Sequence, residues 1–501
     1  MFRRRWSGLP ADPTYATDLH DLGYFVNEDD EIRSLEDPDY YFKYFLTKNH
    51  RWNDRQRFCF NEAIGKVIRT RLSAEGLSTI RLPLGTPPNE PHVPISMSAD
   101  LPAHATRVVL FFGETSQEFG VLAHRVLGGP GGINKGSAVS LVQALQTQPS
   151  SSDDDTPPGI IIANPGELYW WPEGRRGLTP VGRHNIPMSS AVHYGWRYDA
   201  ARNAIPQNKD CQEHIRCVFE QVVEKLVNKH AKLDVVAVGD TADEVEGYLN
   251  DEVVWEKLGP RMNSLVVMGG FYDSADFKCD GFAKFLRERG RAYTIHHSPL
   301  DNLLAGYQGN PQSTASFAAY GCPTFSAGPE TCITETMPID VQPAVLPWLR
   351  QVALDGDKYR NEDHQVYGDD SAALPPGSSI PEADGDAPVQ CWADEPSAGE
   401  DQEIVTGKVV DEKQAGKEIS GEDEKMSEVE EMDLKDNQDE NRQPTEEKQS
   451  AKPVSKPVPK PVTLEDVTRD ESSESMGTIA AAEHEDEKNI VLGVRDMNLQ
   501  Q

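Results

Sequence analysis

Lys232-Leu-Asp-Val-Val-Ala-Val-Gly-Asp-Thr-Ala-Asp243 carries the strongest signal of fold class in the chain, and Glu244-Val-Glu-Gly-Tyr-Leu249 continues it. The apolar run from Val235 to Val238 is typical of a strand that is covered on both faces, as in a parallel sheet. Gly239-Asp240 ends this strand, and a helical pattern follows directly. Turns of this kind lie at the carboxyl edge of open α/β sheets, where such sheets bind ligands. Taken alone, the stretch is best interpreted as an ordinary strand-to-helix connection.

The same turn also has the outline of a catalytic elbow. Hydrolases built on an α/β sheet carry their nucleophile at such a turn, in the pattern G-x-S-x-G. In that register the nucleophile position is Asp240, and Val238 and Ala242 stand where small residues are needed. The β-branched Val238 is a poor fit to a crowded turn. The sequence therefore predicts the shape of a catalytic turn without the usual chemistry at its tip.

Other apolar runs alternate with helical patterns along the chain. Residues 10–85 read as a preamble, with a helix at 53–72 and a short strand at 76–83. The later strands are predicted within 106–113, 159–166, 235–238, 264–271, 292–297 and 320–328. Helices are predicted at 137–145, 212–230, 282–289 and 343–354. This alternation predicts an α/β protein with a doubly wound, mostly parallel sheet.

Composition divides the 501-residue chain, whose net charge is -33. Most of the excess acid follows Asp357, in a segment that is poor in aromatics and rich in Glu, Asp, Ser, Pro and Lys. Such a segment cannot bury enough apolar surface to offset its chain entropy. We therefore predict a flexible N-terminus at 1–14, an α/β domain at 15–355 and a disordered acidic tail at 356–501. A Lys/Pro-rich spacer of polyproline type lies at 452–462.

Composition also narrows the function classes. The acidity disfavours direct nucleic-acid binding, because a basic face is the usual footprint. No apolar run approaches the roughly 18 residues that span a bilayer. Met1-Phe-Arg-Arg-Arg5 lacks the apolar segment of a secretory signal. We therefore expect an intracellular protein with no membrane partner. The 7 cysteines are scattered without a Cys-x-x-Cys pair, which predicts free thiols. We predict neither a metal site nor a cofactor.

Tyr169, Trp170 and Trp171 form an aromatic cluster just after the strand predicted at 159–166. This position places them at the carboxyl end of the sheet, where aromatic rings can stack on a ligand. We favour the simpler interpretation that they cover the end of the sheet. The cluster stays the candidate binding site.

Several stretches, taken in order, resemble the Argonaute-binding (Arb2) domain family over about residues 15–355. They are Asp21-Leu-Gly-Tyr24, Asn164-Pro-Gly-Glu-Leu-Tyr-Trp-Trp-Pro172, Ser298-Pro-Leu-Asp301 and Cys322-Pro-Thr-Phe-Ser-Ala-Gly328. The resemblance implies an α/β-hydrolase-like fold, and the domain also occurs at the end of fungal histone deacetylases. It implies a protein-protein scaffold in small-RNA-directed heterochromatin assembly or histone-deacetylase-linked silencing. The implied partners are Argonaute or chromatin-silencing proteins, and the implied location is the nucleus, with the cytoplasm left open.

The resemblance also assigns positions to a triad. Animal members of the family keep a turn that reads Ala-His-Ser-Tyr-Gly-Gly, and its serine falls on Asp240. The acid of the triad matches Asp301, and the histidine matches Cys332. A serine nucleophile needs an imidazole to take its proton and an acid to orient that imidazole. With the hydroxyl and the imidazole both missing, we expect vestigial positions and a pseudo-hydrolase without catalytic residues.

The alternative is an α/β-hydrolase with Asp240 as the nucleophile, as in enzymes that open epoxides or displace halide. This mechanism needs a histidine to activate water. His296 and His297, at the end of a neighbouring predicted strand, are the candidates. We favour the interpretation that both histidines belong to the end of a strand that faces solvent.

Overall fold

The computed structural model describes residues 8–99, 101, 106–193, 195, 197–310 and 319–363. The predicted tail from residue 364 on, including the spacer at 452–462, lies outside these residues. The strands are β1 (Tyr24–Val26), β2 (Ile32–Ser34), β3 (Leu77–Leu82), β4 (Val93–Ser98), β5 (Arg107–Phe112), β6 (Gly159–Ile162), β7 (Tyr169–Trp171), β8 (Arg176–Leu178), β9 (Lys232–Val238), β10 (Met262–Met268), β11 (Gly290–Thr294), β12 (Leu303–Ala305) and β13 (Thr324–Ser326).

Helices cover the sheet between these strands. They are α1 (His50–Ala74), α2 (His124–Leu127), α3 (Gly132–Lys135), α4 (Ala138–Gln146), α5 (Ala200–Asn203), α6 (Cys211–Cys217), α7 (Glu224–Leu226), α8 (Asp240–Leu249), α9 (Glu252–Leu258), α10 (Asp280–Arg289), α11 (Met337–Asp340) and α12 (Gln342–Asp355). A π-helical segment at Val218–Val223 joins α6 to α7. Among the described helices, none is both long and apolar enough to cross a membrane.

Within the described residues, nine strands form one mixed sheet in the order β12-β13-β11-β10-β9-β5-β6-β4-β3. The pairs β3/β4, β4/β6 and β12/β13 are antiparallel, and the remaining pairs are parallel. Without the edge strand β12, the strands counted along the chain stand in the order 1-2-4-3-5-6-7-8, with the second antiparallel. This is the strand order of α/β-hydrolases, and β9 holds the fifth position, which precedes their nucleophile elbow.

The central strands alternate their side chains between two apolar layers. Val236 and Val238 of β9 face the core formed with α1, α4 and α12. Val235 and Ala237 face the core formed with α6, α8 and α10. A strand that is buried on both faces reads as a continuous apolar run, as predicted for this stretch.

Several predicted boundaries need correction. Residues 10–85 are not a preamble, because β3 lies at one edge of the main sheet. The strand predicted at 292–297 ends at Thr294, and the aromatic residues 169–171 are a strand of their own, paired with β8. The helix predicted at 212–230 ends at Leu226. No strand is predicted at β4, which contains Pro94.

The N-terminal boundary of the domain lies before residue 15. The carboxylate of Asp12 accepts hydrogen bonds from the fully buried guanidinium of Arg51, at 2.7 Å from Nε. Arg51 also donates to the carbonyl oxygens of His184 and Ile186. Residues 8–14 therefore include a buried anchor and are not a flexible terminus as predicted.

The C-terminal boundary moves in the same way. Tyr359 is buried, and its hydroxyl oxygen accepts a hydrogen bond from Nε1 of Trp348 at 2.5 Å. Asn361 donates to the carbonyl of Gly290 at 2.7 Å. Residues 356–363 thus pack on α12 and β11, so the domain continues past the predicted end at 355.

The described cysteines are free thiols, as predicted. Cys59, Cys217, Cys279 and Cys322 are buried, Cys211 is half-buried and Cys332 is exposed. Cys391 lies outside the described residues.

Candidate functional site

The turn after β9 has the backbone of a nucleophile elbow, and a glycine stands at its tip. Gly239 has φ 60° and ψ -139°, a conformation that is nearly confined to glycine. Its amide donates to the carbonyl of Met268 at 2.8 Å, which ties the turn to β10. In this register the small residues Ala237 and Thr241 stand two positions on either side of the tip. The nucleophile position is therefore Gly239, and the prediction of Asp240 is wrong by one residue.

Asp240 lies beside the tip rather than on it. It is the first residue of α8, and its side chain is exposed. A negative charge at a helix N-terminus interacts favourably with the helix dipole. This position gives Asp240 an ordinary structural role.

The carboxyl group of Glu114 occupies the space above Gly239. A β-carbon built on Gly239 would lie 3.1 Å from Oε1 and 3.3 Å from Cγ of Glu114. Burial raises the pKa of Glu114, and the nearby carboxylate of Glu335 raises it further. Glu114 belongs to the loop after β5, which supplies an oxyanion-hole amide in hydrolases. An acidic side chain in this place opposes the negative charge that an oxyanion hole stabilises.

Asp301, the predicted vestigial acid, interacts with β11. Its Oδ1 accepts a hydrogen bond from the hydroxyl of Tyr293 at 2.9 Å and pairs with Nη1 of Arg291 at 3.2 Å. Asp301 has φ 63°, and its amide donates to the carbonyl of Ser326 at 3.0 Å. Through these contacts Asp301 links β11 to β13.

Cys332, the predicted counterpart of the histidine, lies exposed in the segment after β13. Its sulfur is 3.8 Å from the carbonyl oxygen of Glu330. Two later residues of the same segment contact other loops at the carboxyl edge of the sheet. A β-carbon built on Gly269 would lie 2.6 Å from Cγ2 of Thr334, and Oε1 of Glu335 accepts a hydrogen bond from the amide of His124 at 2.6 Å.

A polar network that no sequence pattern predicts lies at this edge of the sheet. Glu118 is hydrogen bonded to Nε2 of His124 at 2.5 Å and to Nδ2 of Asn61 at 2.7 Å. Burial alone would raise the pKa of Glu118, but these partners hold it down to about 2. Its members come from α1, α2 and the loop after β5, so no local sequence motif predicts the network. In the described residues, no group of His, Cys, Asp and Glu is arranged to hold a metal ion.

His296 and His297 follow the end of β11. The amide of Ser298 donates to Nδ1 of His296 at 3.1 Å, and the two imidazole rings lie 4.1 Å apart. His296 is half-buried and His297 is exposed. Both histidines thus lie in the loop that follows β11.

The aromatic cluster at 169–171 is split between different environments. Trp170 is buried against Val93 and Ile205, and its ring lies 5.1 Å from that of His92. Trp171 packs edge-on against Phe58 at 6.0 Å. Tyr169 lies in the wall of a cavity at the carboxyl edge of the sheet. Because side chains of a strand alternate in direction, the cluster does not form one stacking platform.

The motif Asn164-Pro-Gly-Glu167 is a buried turn. Nδ2 of Asn164 donates to the carboxylate of Glu167 at 2.9 Å, and the amide of Asn164 donates to Nε2 of His214 at 3.1 Å. Burial lowers the pKa of His214 to about 3, so its imidazole is neutral and can accept this bond. The polar groups of Asn164, Glu167 and His214 therefore stabilise the turn after β6.

The strand order and the elbow define a domain with the α/β-hydrolase fold whose nucleophile position is a glycine. Comparison with family models gives a match to the Arb2 domain over residues 15–300, which is more than half of the chain. The chain belongs to the Arb2 domain family, which confirms the resemblance noted in the sequence.

Several solved structures are similar to this chain at low identity. An esterase, LipW, from Mycobacterium marinum is 12% identical over 46% of this chain and 55% of its own, with a TM-score of 0.23. An arylesterase is 10% identical over 59% of this chain and 93% of its own, with a TM-score of 0.26. The chain thus spans about half the length of LipW. The fold assignment rests on the strand order, because these similarities are too low to add to it. Comparison with curated protein sequences finds no match.

Proposed function

We propose that this protein is a non-catalytic binding module, a protein-protein scaffold in small-RNA-directed heterochromatin assembly or histone-deacetylase-linked silencing. The observation that carries the first part is the glycine at the tip of the elbow. Gly239 has no side chain to attack a substrate, and Glu114 occupies the space that a nucleophile would need. The elbow of the fold is present, but the residue at its nucleophile position has no reacting group.

The positions of the other triad residues support the same proposal. A triad works because its acid orients the imidazole and the imidazole takes the proton of the nucleophile. Here the carboxylate of Asp301 is bonded to Arg291 and Tyr293, and the resemblance to the family places Cys332 at the histidine position. The contacts that Asp301 makes with Arg291, Tyr293 and Ser326 tie it to β11 and β13.

The silencing role rests on membership of the Arb2 domain family. That membership supports Argonaute or chromatin-silencing proteins as partners and the nucleus as the place of action. Proximity labelling with the full chain in its native cells tests this part. We expect such proteins to be enriched over a diffusible labelling control, and a partner set without any of them would contradict the assignment.

The non-catalytic part is tested with reactive probes. The full chain is incubated with a fluorophosphonate, an activated ester and an epoxide, and the adducts are mapped by mass spectrometry beside an active serine hydrolase. We expect neither turnover nor a stoichiometric adduct. Turnover that disappears in Asp240→Ala would establish the alternative, a hydrolase that uses Asp240.

A further inference from the structure

A cavity of about 250 Å³ opens at the carboxyl edge of the sheet, beside the glycine elbow. Thr115, after β5, and Pro165 and Gly166, after β6, form part of its wall. Cys211 also lines it, and the sulfur of Cys211 is 3.9 Å from Oγ1 of Thr241, two residues past Gly239. The cavity therefore lies where open α/β sheets bind their ligands.

The body of the cavity is apolar. Leu168, Tyr169 and Leu178 line it, and Tyr198 stands at its mouth with its ring 6.2 Å from that of Tyr169. Drug-sized ligands occupy sites of about 300 to 1,000 Å³, so this cavity suits a shorter molecule. Its ligand should bury hydrocarbon against these side chains.

One residue at the mouth is the cation Arg183. The guanidinium of Arg183 lies 5.8 Å from the centroid of the Tyr169 ring, and its Nε donates to Nε2 of His184 at 3.3 Å. Arg183 has no carboxylate within ion-pair distance among the described residues. Lys209, at the same mouth, is paired with Glu213 at 2.5 Å. Asp210 uses its carboxylate to cap α6.

We propose that this cavity binds a short, mainly apolar carboxylic acid, with the carboxylate on Arg183 and the hydrocarbon against Leu168, Tyr169 and Leu178. Arginine suits this task because its planar guanidinium binds a carboxylate through two parallel hydrogen bonds. Apolar walls with a small number of placed polar groups are typical of ligand sites. The site is independent of the scaffold role, since a ligand could bind whether or not the elbow reacts.

The test compares sodium hexanoate with its neutral counterpart, hexanamide, by calorimetric titration of the full chain. We expect hexanoate to bind about tenfold more tightly or better, because a hydrogen bond to a charged group is worth more than a neutral one. Equal affinity for acid and amide, or no binding of hexanoate at millimolar concentration, would overturn the proposal.

Matched variants locate the charge. Arg183→Gln should reduce hexanoate binding to the level of hexanamide, and Arg183→Lys should keep part of the difference. Arg216→Gln removes the same charge from an exposed position on α6 and should leave both affinities unchanged. Thermal melting shows whether each variant is folded. Loss of the preference for the acid in Arg216→Gln would assign the binding to net charge. Retention of that preference in Arg183→Gln would show that Arg183 does not bind the carboxylate. Either result would contradict the proposed site.

Discussion

The carboxyl end of Glu114 lies against Gly239 and fills the space that a side chain at position 239 would need. A β-carbon at position 239 would lie within 3.4 Å of three atoms of the Glu114 carboxyl end. Contacts of this kind force a neighbour to move, and the backbone at Gly239 is already in a region that other residues rarely adopt. The glycine at the tip thus avoids backbone strain, and the side chain above it leaves little room for a β-carbon.

Gly239→Ala should therefore destabilise the domain by about 1 to 3 kcal/mol, since a residue other than glycine is strained in this conformation. Part of the loss should come from the contact with Glu114, so Glu114→Ala in the same chain should recover some of it. Urea unfolding of both single variants and the double variant gives the coupling energy. We expect roughly 0.5 to 1 kcal/mol, in the range found for residues in contact. Additive losses would mean that Glu114 does not fill that space.

Glu246 makes stability depend on pH. It lies on α8, is fully buried, and neither of its carboxyl oxygens has a hydrogen-bond partner among the residues that the structure describes. Burial raises the pKa of Glu246 well above 4.5, and Asp243 raises it further. Between the unfolded and the folded pKa, the folded state binds more protons, so stability must fall as pH rises from about 4.5.

Glu246→Gln should remove this dependence, so its free energy of unfolding should gain on wild type as pH rises. The gain can reach about 1.4 kcal/mol per pH unit within that window. Chemical unfolding at a series of pH values from 5 to 8 measures it, where folding remains reversible. Glu252→Gln, an exposed change on α9, is the control and should run parallel to wild type. A constant difference between Glu246→Gln and wild type would contradict a carboxyl group that is protonated in the folded state.

Arg107 and Asp234 lock β5 to β9 at the other end of these strands. Their side chains are 1% and 0% exposed and lie 2.5 Å apart, and Asp234 also accepts hydrogen bonds from Asn263 and Ser264. Asp234→Ala would leave the buried guanidinium uncompensated, which costs about 3 to 5 kcal/mol. Lys257→Gln breaks an exposed pair with Glu224 and should cost about 1 kcal/mol or less. Thermal unfolding of both variants checks the contrast, and a similar small loss for both would show that Asp234 is not needed to neutralise Arg107.

The end of the domain can be tested by truncation. A chain that ends after Asp363 should melt like the folded part of the full protein, because it keeps Tyr359 and Asn361. A chain that ends after Asp355 loses a buried aromatic ring and its hydrogen bond to Trp348, for about 2 to 4 kcal/mol. Equal melting temperatures for the two truncations would return the boundary to 355.

The sequence predicted the central sheet well because its signals are local. The run from Val235 to Val238 is continuous because both faces of β9 are covered, and this pattern needs no knowledge of the neighbours. The register of the elbow was not predictable in the same way. Gly239 and Asp240 are adjacent, both occur in turns, and only the path of the chain decides which takes the strained backbone.

The residues around the elbow are separated widely in the sequence. Glu114, His124 and Glu335 meet because β5, β9 and β13 belong to one sheet whose loops converge at its carboxyl edge. The anchor of Asp12 on Arg51 was likewise hidden, because an acidic residue near a terminus usually indicates solvent exposure. Such contacts follow from topology, so a pattern along the chain does not contain them.

Asp301 separates a structural from a catalytic role at a triad position. Its carboxylate accepts from the buried Tyr293 and pairs with Arg291, and its backbone is left-handed at φ 63°. Asp301→Asn keeps an acceptor oxygen and a side chain that tolerates this backbone, so the loss should be about 1 kcal/mol or less. Asp301→Leu leaves the Tyr293 hydroxyl without its acceptor and strains the turn, which should cost about 2 to 4 kcal/mol. Thermal unfolding of the two variants beside wild type decides, and Lys257→Gln again serves as a surface control. Equal melting temperatures for all of them would remove the structural role from Asp301.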